Sequence, residues 1–104
     1  CAQTSIIKPI VPITFYLHNP YPNPFNPNTT IRYDLPEDEF VTIKVYDMLG
    51  NFVSSLINKN QISGYKSLQW DATNNKGQPV SAGVYLYSIE AGKFRQTKKM
   101  VLLK

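Results

Sequence analysis

The sequence is poor in the residues that do chemistry. It contains one cysteine, Cys1, and one histidine, His18, in 104 residues. A single thiol cannot close an internal disulfide, so packing has to hold the domain together. One histidine and one cysteine also exclude a zinc site of the usual ligand types. Long apolar runs are missing. The greasiest stretches, such as Met100-Val101-Leu102-Leu103, are strand-sized and far short of the ~18 residues that a membrane helix needs. No window repeats its apolar residues at the spacing of a helix. None of the five glycines builds a phosphate-cradling loop.

What is present points to strands joined by tight turns. Seven Tyr, five Phe and eight Pro stand out; aromatics suit a pleated surface and proline suits turns. A hydrophobic fraction of 42% and a charged fraction of 17% are those of a folded chain rather than a disordered one. The length allows one domain with one core. The net charge is +4, with basic residues spread along the chain. The densest group, Lys93, Arg95, Lys98 and Lys99, falls in a strand-like segment, where charge keeps an exposed edge from pairing with another. Nucleic acid is therefore not an expected partner.

Read from the start, residues 1–14 form an extended apolar N-terminal segment, and residues 15–104 form the domain. Pro9 and Pro12 bar a helix and tolerate only an edge strand or extended chain. Ile6, Ile7, Ile10, Val11 and Ile13 make the segment greasy, and Ile13, Phe15 and Leu17 alternate onto one side. A chain starting at Cys1-Ala2-Gln3 is expected to be processed or excised, and Cys1 is a candidate for lipidation. Residues 19–28, with four prolines, read as a rigid arch whose Tyr21 and Phe25 pin it to the domain.

Beyond the arch, strands and turns alternate. Ile31, Tyr33 and Leu35 share a face, as do Val41, Ile43 and Val45, then Leu68 and Trp70, then Tyr85, Tyr87 and Ile89. Residues 48–51 close a hairpin in which Gly50 can take positive φ. Residues 52–57 return, 73–82 form a polar loop, and Gly92-Lys93 turns into a last strand, 94–103. The expectation is all-β: an immunoglobulin-like antiparallel β-sandwich of about seven strands, with Trp70 at its centre.

Catalysis is not expected. His18 lies in a turn-like context beside the arch, where an exposed or capping role suits it better than a triad. Glu37-Asp38-Glu39 reads as a solvated turn. The loop from Asp71 to Gly77 superficially matches a calcium loop, but Ala82 stands where the bidentate carboxylate belongs. No cofactor is expected.

Several ordered motifs resemble one family. Asn19-Pro20-Tyr21-Pro22-Asn23-Pro24-Phe25-Asn26-Pro27 followed by Thr29-Thr30-Ile31-Arg32-Tyr33 resembles the opening of the C-terminal sorting domain of type IX secretion cargo. Val45-Tyr46-Asp47-Met48-Leu49-Gly50 is similar to that family's first hairpin. Gly64-Tyr65, Trp70-Asp71, Gly77-Gln78-Pro79-Val80 and Gly83-Val84-Tyr85-Leu86-Tyr87 follow in the same order, and Lys99 to Lys104 resembles its terminal strand. The architecture also resembles the immunoglobulin-like domain of the flagellar hook-cap protein. The resemblance implies an extracellular or cell-surface bacterial protein whose partner is outer-membrane secretion machinery. It places the translocation signal on Gly83, Val84, Tyr85 and Tyr87 and on Lys99, Met100, Val101, Leu102, Leu103 and Lys104. In that family a sortase-like peptidase often removes the domain.

Such a domain follows a large cargo, whereas here a short greasy extension precedes it, which leaves two expectations. In the first, copies assemble head-to-tail into a surface filament. The N-terminal strand is donated to the next copy through Ile6, Ile7, Ile10, Val11, Ile13, Phe15 and Leu17. In the second, the chain is a sorting and anchoring domain separated from its cargo, with residues 1–14 as linker. Linkers are usually polar, so the apolar extension favours the first.

Overall fold

The computed structural model describes residues 11–103, and among them there is no helix. The strands are β1 (Tyr16–Leu17), β2 (Thr29–Leu35), β3 (Glu39–Asp47), β4 (Phe52–Gln61), β5 (Gly64–Trp70), β6 (Gly83–Ala91) and β7 (Phe94–Leu102). They form two antiparallel sheets. One is three-stranded, in the order β1-β2-β5, and the other four-stranded, in the order β4-β3-β6-β7. This is the seven-stranded, immunoglobulin-like β-sandwich expected from the alternation.

The core is the sum of the inward faces. Ile31, Tyr33 and Leu35 of β2, Val41, Ile43 and Val45 of β3, and Tyr85, Tyr87 and Ile89 of β6 are all buried. Period-two patterning puts them there, because each strand has one face to bury. Trp70 is the largest fully buried side chain. Its indole N–H donates to the Thr73 carbonyl at 2.9 Å, and its ring meets the edges of Phe25 and Tyr85 at centroid distances of 5.7 and 5.3 Å. Among the described residues, no buried side-chain polar atom lacks a partner.

Three local expectations need correction. Ile13 does not share the buried side of Leu17: it is 84% exposed. The ladder of β1 on β2 covers only Tyr16↔Asp34 and Leu17↔Tyr33. Beyond Leu35 the chain reaches Pro36, which has no N–H to extend the pairing. Tyr21 pins the arch through its backbone, which bridges to Thr30, while its side chain is 72% exposed. β4 runs on to Gln61 instead of stopping at Ile57, because an outer strand need not alternate apolar residues along its solvent-facing end. Register shifts at Ile43/Lys44 and Val45/Tyr46 also explain why Val53, Leu56 and Ile57 all pack against the core.

Two tyrosines carry their hydroxyls into the sandwich. Tyr33 donates to Gln61 Oε1, and Tyr87 donates to the His18 carbonyl at 2.9 Å. Loss of hydration pushes the Tyr33 phenol up to about 12 and raises that of Tyr87 as well. In the unfolded chain a tyrosine titrates near ~10. Between these values the unfolded chain releases protons that the folded chain keeps, so stability is full below ~10 and falls as the pH rises. We expect urea unfolding midpoints to be level from pH 7 to 9 and to decline above ~10, at up to about 1.4 kcal/mol per pH unit for each buried tyrosine. Tyr33→Phe should flatten that decline, and an unchanged slope would count against burial as its cause.

Candidate functional site

The two stretches singled out at the C-terminal end lie on the two strands of one hairpin. Register pairs Gly83 with Leu102, Val84 with Val101, Tyr85 with Met100, Leu86 with Lys99 and Tyr87 with Lys98. Tyr85, Tyr87, Met100 and Leu102 face inward and are buried. Val84 and Val101, partly buried, and Lys99, exposed, lie on the outer face. Leu103 follows at 50% exposure. The hairpin turns at Gly92 with φ 61°, a backbone that favours glycine. A Cβ there would also stand 2.7 Å from a Glu39 carboxylate oxygen.

The arch completes this site. Phe25 donates its N–H to the Val101 carbonyl at 2.9 Å, and its own carbonyl accepts from Leu103 N–H at 2.9 Å. The Asn23 carboxamide oxygen accepts from Val101 N–H at 2.9 Å. The ring of Phe25 is meanwhile 1% exposed, in the core. The arch is held at its other flank by Tyr21 and Thr30 and by the Thr29 hydroxyl, which donates to the Pro22 carbonyl at 2.7 Å. It therefore spans from β2 in one sheet to β7 in the other. Asn23 was not singled out by the sequence. Its Asn-Pro context marked a turn but not a turn aimed at the last strand.

Asp47, at the start of the β3–β4 turn, is a second residue that sequence reasoning passed over. Its carboxylate accepts from the N–H groups of Asn51 and Leu49, both at 2.9 Å, and from the Asn51 side chain at 3.2 Å. These bonds, the Asn51 backbone first, hold its pKa below the usual carboxylate range. An aspartate directly before a turn, placed to accept from the N–H two residues on, is the signal that could have found it.

The other candidates are structural. His18 Nε2 lies 2.9 Å from Asp34 Oδ1 and packs edge-on against Tyr16. Ser67 lines the same shallow groove, but no hydrogen bond joins its hydroxyl to the imidazole. Asp38 caps the Ser63 N–H at 2.8 Å while Glu39 turns toward Gly92, so that acidic turn does not converge. Asn74 closes the Asp71–Gly77 loop on itself, accepting from Lys76 and Gln78. Among the described residues, no three His, Cys, Asp or Glu side chains gather to hold a metal ion. No helix there is long and apolar enough to cross a membrane.

Of the expected strand-donating residues, Leu17 is fully buried in its own domain and Phe15 stacks on Phe94 at 5.2 Å. Both pack within the chain rather than standing ready for a neighbour. Val11 and Ile13 are exposed. Cys1, Ile6, Ile7, Ile10 and Lys104 lie outside the described residues.

Removing the arch's contacts should loosen the last strand first. Phe25→Ala is expected to cost about 3–5 kcal/mol, as for other buried phenylalanines. Asn23→Ala, losing one hydrogen bond, should cost about 1 kcal/mol. Amide exchange should show Val101 and Leu103 losing protection in both variants before the β3–β6 pairing does. Retained protection at Val101 in Asn23→Ala would show that the arch does not hold the strand.

The family model described as the secretion system C-terminal sorting domain matches residues 19–103. No curated protein sequence matches the chain. The fold is similar to part of dimeric latent PorU from Porphyromonas gingivalis, with a TM-score of 0.65 and 24% identity over 82% of this chain and 9% of that one. It is similar to part of PorZ, an essential surface component of the type IX secretion system of the same organism, with a TM-score of 0.57 and 21% identity over 86% of this chain and 11% of that one. FlgD from P. aeruginosa matches with a TM-score of 0.57 and 23% identity, covering 71% of this chain and 58% of that one. At these identities the likeness is one of fold, and the chain spans only a small part of PorU and PorZ.

Proposed function

Because the chain belongs to the secretion system C-terminal sorting domain family, and so to a secreted, cell-surface protein, we propose that it serves as an address read by outer-membrane secretion machinery of the type IX class. The observation that carries this reading is the β6–β7 hairpin. Gly83–Tyr87 and Lys99–Leu103 lie side by side at one edge of the sandwich, with one face in the core and the other presented outward. A receptor can therefore read both stretches only on a folded domain. The chain performs no reaction in this reading; any cleavage at its boundary is the work of a partner.

A filament built by strand donation has less behind it. The family match favours sorting, and Phe15 and Leu17 are engaged in their own domain.

The test is to fuse residues 1–104 behind a reporter with an export signal, in a bacterium that possesses type IX secretion. The reporter should reach the cell surface with the chain attached and stay in the periplasm without it. Surface signal should fall at least about tenfold in Tyr87→Ala, whose inward ring supports the hairpin. A periplasmic reporter bearing the intact, folded chain would overturn the proposal. The purified chain should be monomeric by light scattering, and polymers that vanish on removing residues 1–14 would restore the filament.

A further inference from the structure

The basic cluster flagged in the sequence has no role in the fold's interior, and its place on the hairpin gives it one. β7 is an outer strand, bonded to β6 on one side only. Val101 aims both its N–H and its C=O away from β6, toward Asn23 and Phe25. Antiparallel pairing alternates by residue, so Lys99, Thr97 and Arg95 turn their N–H and C=O the same way. Among the described residues nothing pairs with them. The arch shows that this edge bonds added backbone, since Phe25 forms an isolated parallel bridge with Leu102 there. It covers only the last residues and leaves the stretch from Arg95 to Lys99 open.

The open stretch is strongly basic. Lys93, Arg95, Lys98 and Lys99 lie on or beside it. Of the nearby acids, Glu90 sits 3.6 Å from Arg95 in a solvent-exposed pair, which neutralises little, while Glu37 and Glu39 lie at the turn end beside Gly92 and Lys93, away from Thr97 and Lys99. A second copy offering the same edge would bring like charges together. The chain's own first ten residues contain one lysine, one proline and no acidic residue, so they do not complement it either. An acidic strand does.

We propose that the free edge of β7, from Arg95 to Lys99, takes up an extended acidic segment of a partner protein as an added strand, which ends where the arch begins at Phe25. Main-chain bonds to Arg95, Thr97 and Lys99 supply affinity, and the flanking cations select the partner and speed its approach. Only the partner's identity, as part of the secretion machinery, rests on the sorting reading. The strand addition rests on the edge itself.

Amide exchange and binding of a short synthetic peptide alternating glutamate with valine test this on the intact chain. In the free chain the amides of Gln96 and Lys98 should exchange slowly and those of Arg95, Thr97 and Lys99 quickly. The peptide should protect the latter three, and its binding should weaken as salt is added. Affinity should fall on the order of tenfold in an Arg95→Glu/Lys99→Glu double variant and comparably in Thr97→Pro. The proline removes an edge donor that β6 does not use, so that fold should persist. If it does not, the charge-reversed variant decides.

Peptide binding without amide protection would mean bare charge attraction and overturn the proposal. Equal protection by a lysine–valine peptide, or protection by self-association of the chain alone, would overturn it as well. In the export assay, a folded Thr97→Pro chain exported at the wild-type level would show that the edge is not read, while the sorting function stood. Failure of the intact chain to be exported would sink the sorting reading and leave the edge to be judged by the peptide.

Discussion

Phe25 is the point at which the chain's early and late segments are tied together. Its ring lies in the core beside Trp70, and its backbone is bonded on both sides to the last strand, at Val101 and Leu103. The two roles depend on each other. Ring burial is worth a few kcal/mol, enough to hold an otherwise irregular, proline-rich segment against the loss of chain entropy. Once the ring is fixed, the adjoining N–H and C=O reach the edge of β7 at no further conformational cost. The rest of the hairpin, Gly83 against Leu102 through to Ala91 against Phe94, is thereby held at its open end as well as at its turn.

The sandwich supplies the other half of that constraint. Two sheets of three and four strands cannot cover each other fully, and the shortfall falls on the outer strands β4 and β7. On β7, Phe94, Gln96 and Lys98 on the inward side are only partly buried while Met100 and Leu102 are fully so. The strand is thus firmly packed at its C-terminal end and loosely at its turn end. The packed end is the one the arch also covers. The loose end is the one that carries the cations and the backbone groups that no described residue pairs. Stability and accessibility are divided along a single strand.

Most of the fold was legible because sandwich strands announce themselves by period two, and every buried residue of β2, β3 and β6 that the alternation picked out is buried. Legibility failed where the determinant was not alternation. β1 is two residues long because Pro36 ends its partner's ladder, a fact about a residue nineteen positions beyond Leu17. β4 outruns its apolar residues because it is an outer strand, which depends on topology. Asn23 and the backbone of Phe25 act at a sequence distance that no local pattern encodes. The hairpin's two halves could be named from resemblance and joined through the Gly92-Lys93 turn, and the register adds which residues stand opposite each other.

The same edge that must not pair with its own kind is the one best suited to pair with something else. Unpaired strand edges invite aggregation, and lysine is a common defence. A defence made of charge is selective rather than absolute, however. It repels another basic edge through like charges placed directly opposite and attracts an acidic one through the same geometry. Proline or a bulge placed between Arg95 and Lys99 would have closed the edge to every partner. The sequence uses neither there, although it uses proline freely in the arch a few ångströms along the same edge. Leaving the backbone of Arg95, Thr97 and Lys99 competent while guarding it with cations discourages pairing between copies and keeps a docking place at once, which is what the proposed role of being read by secretion machinery requires.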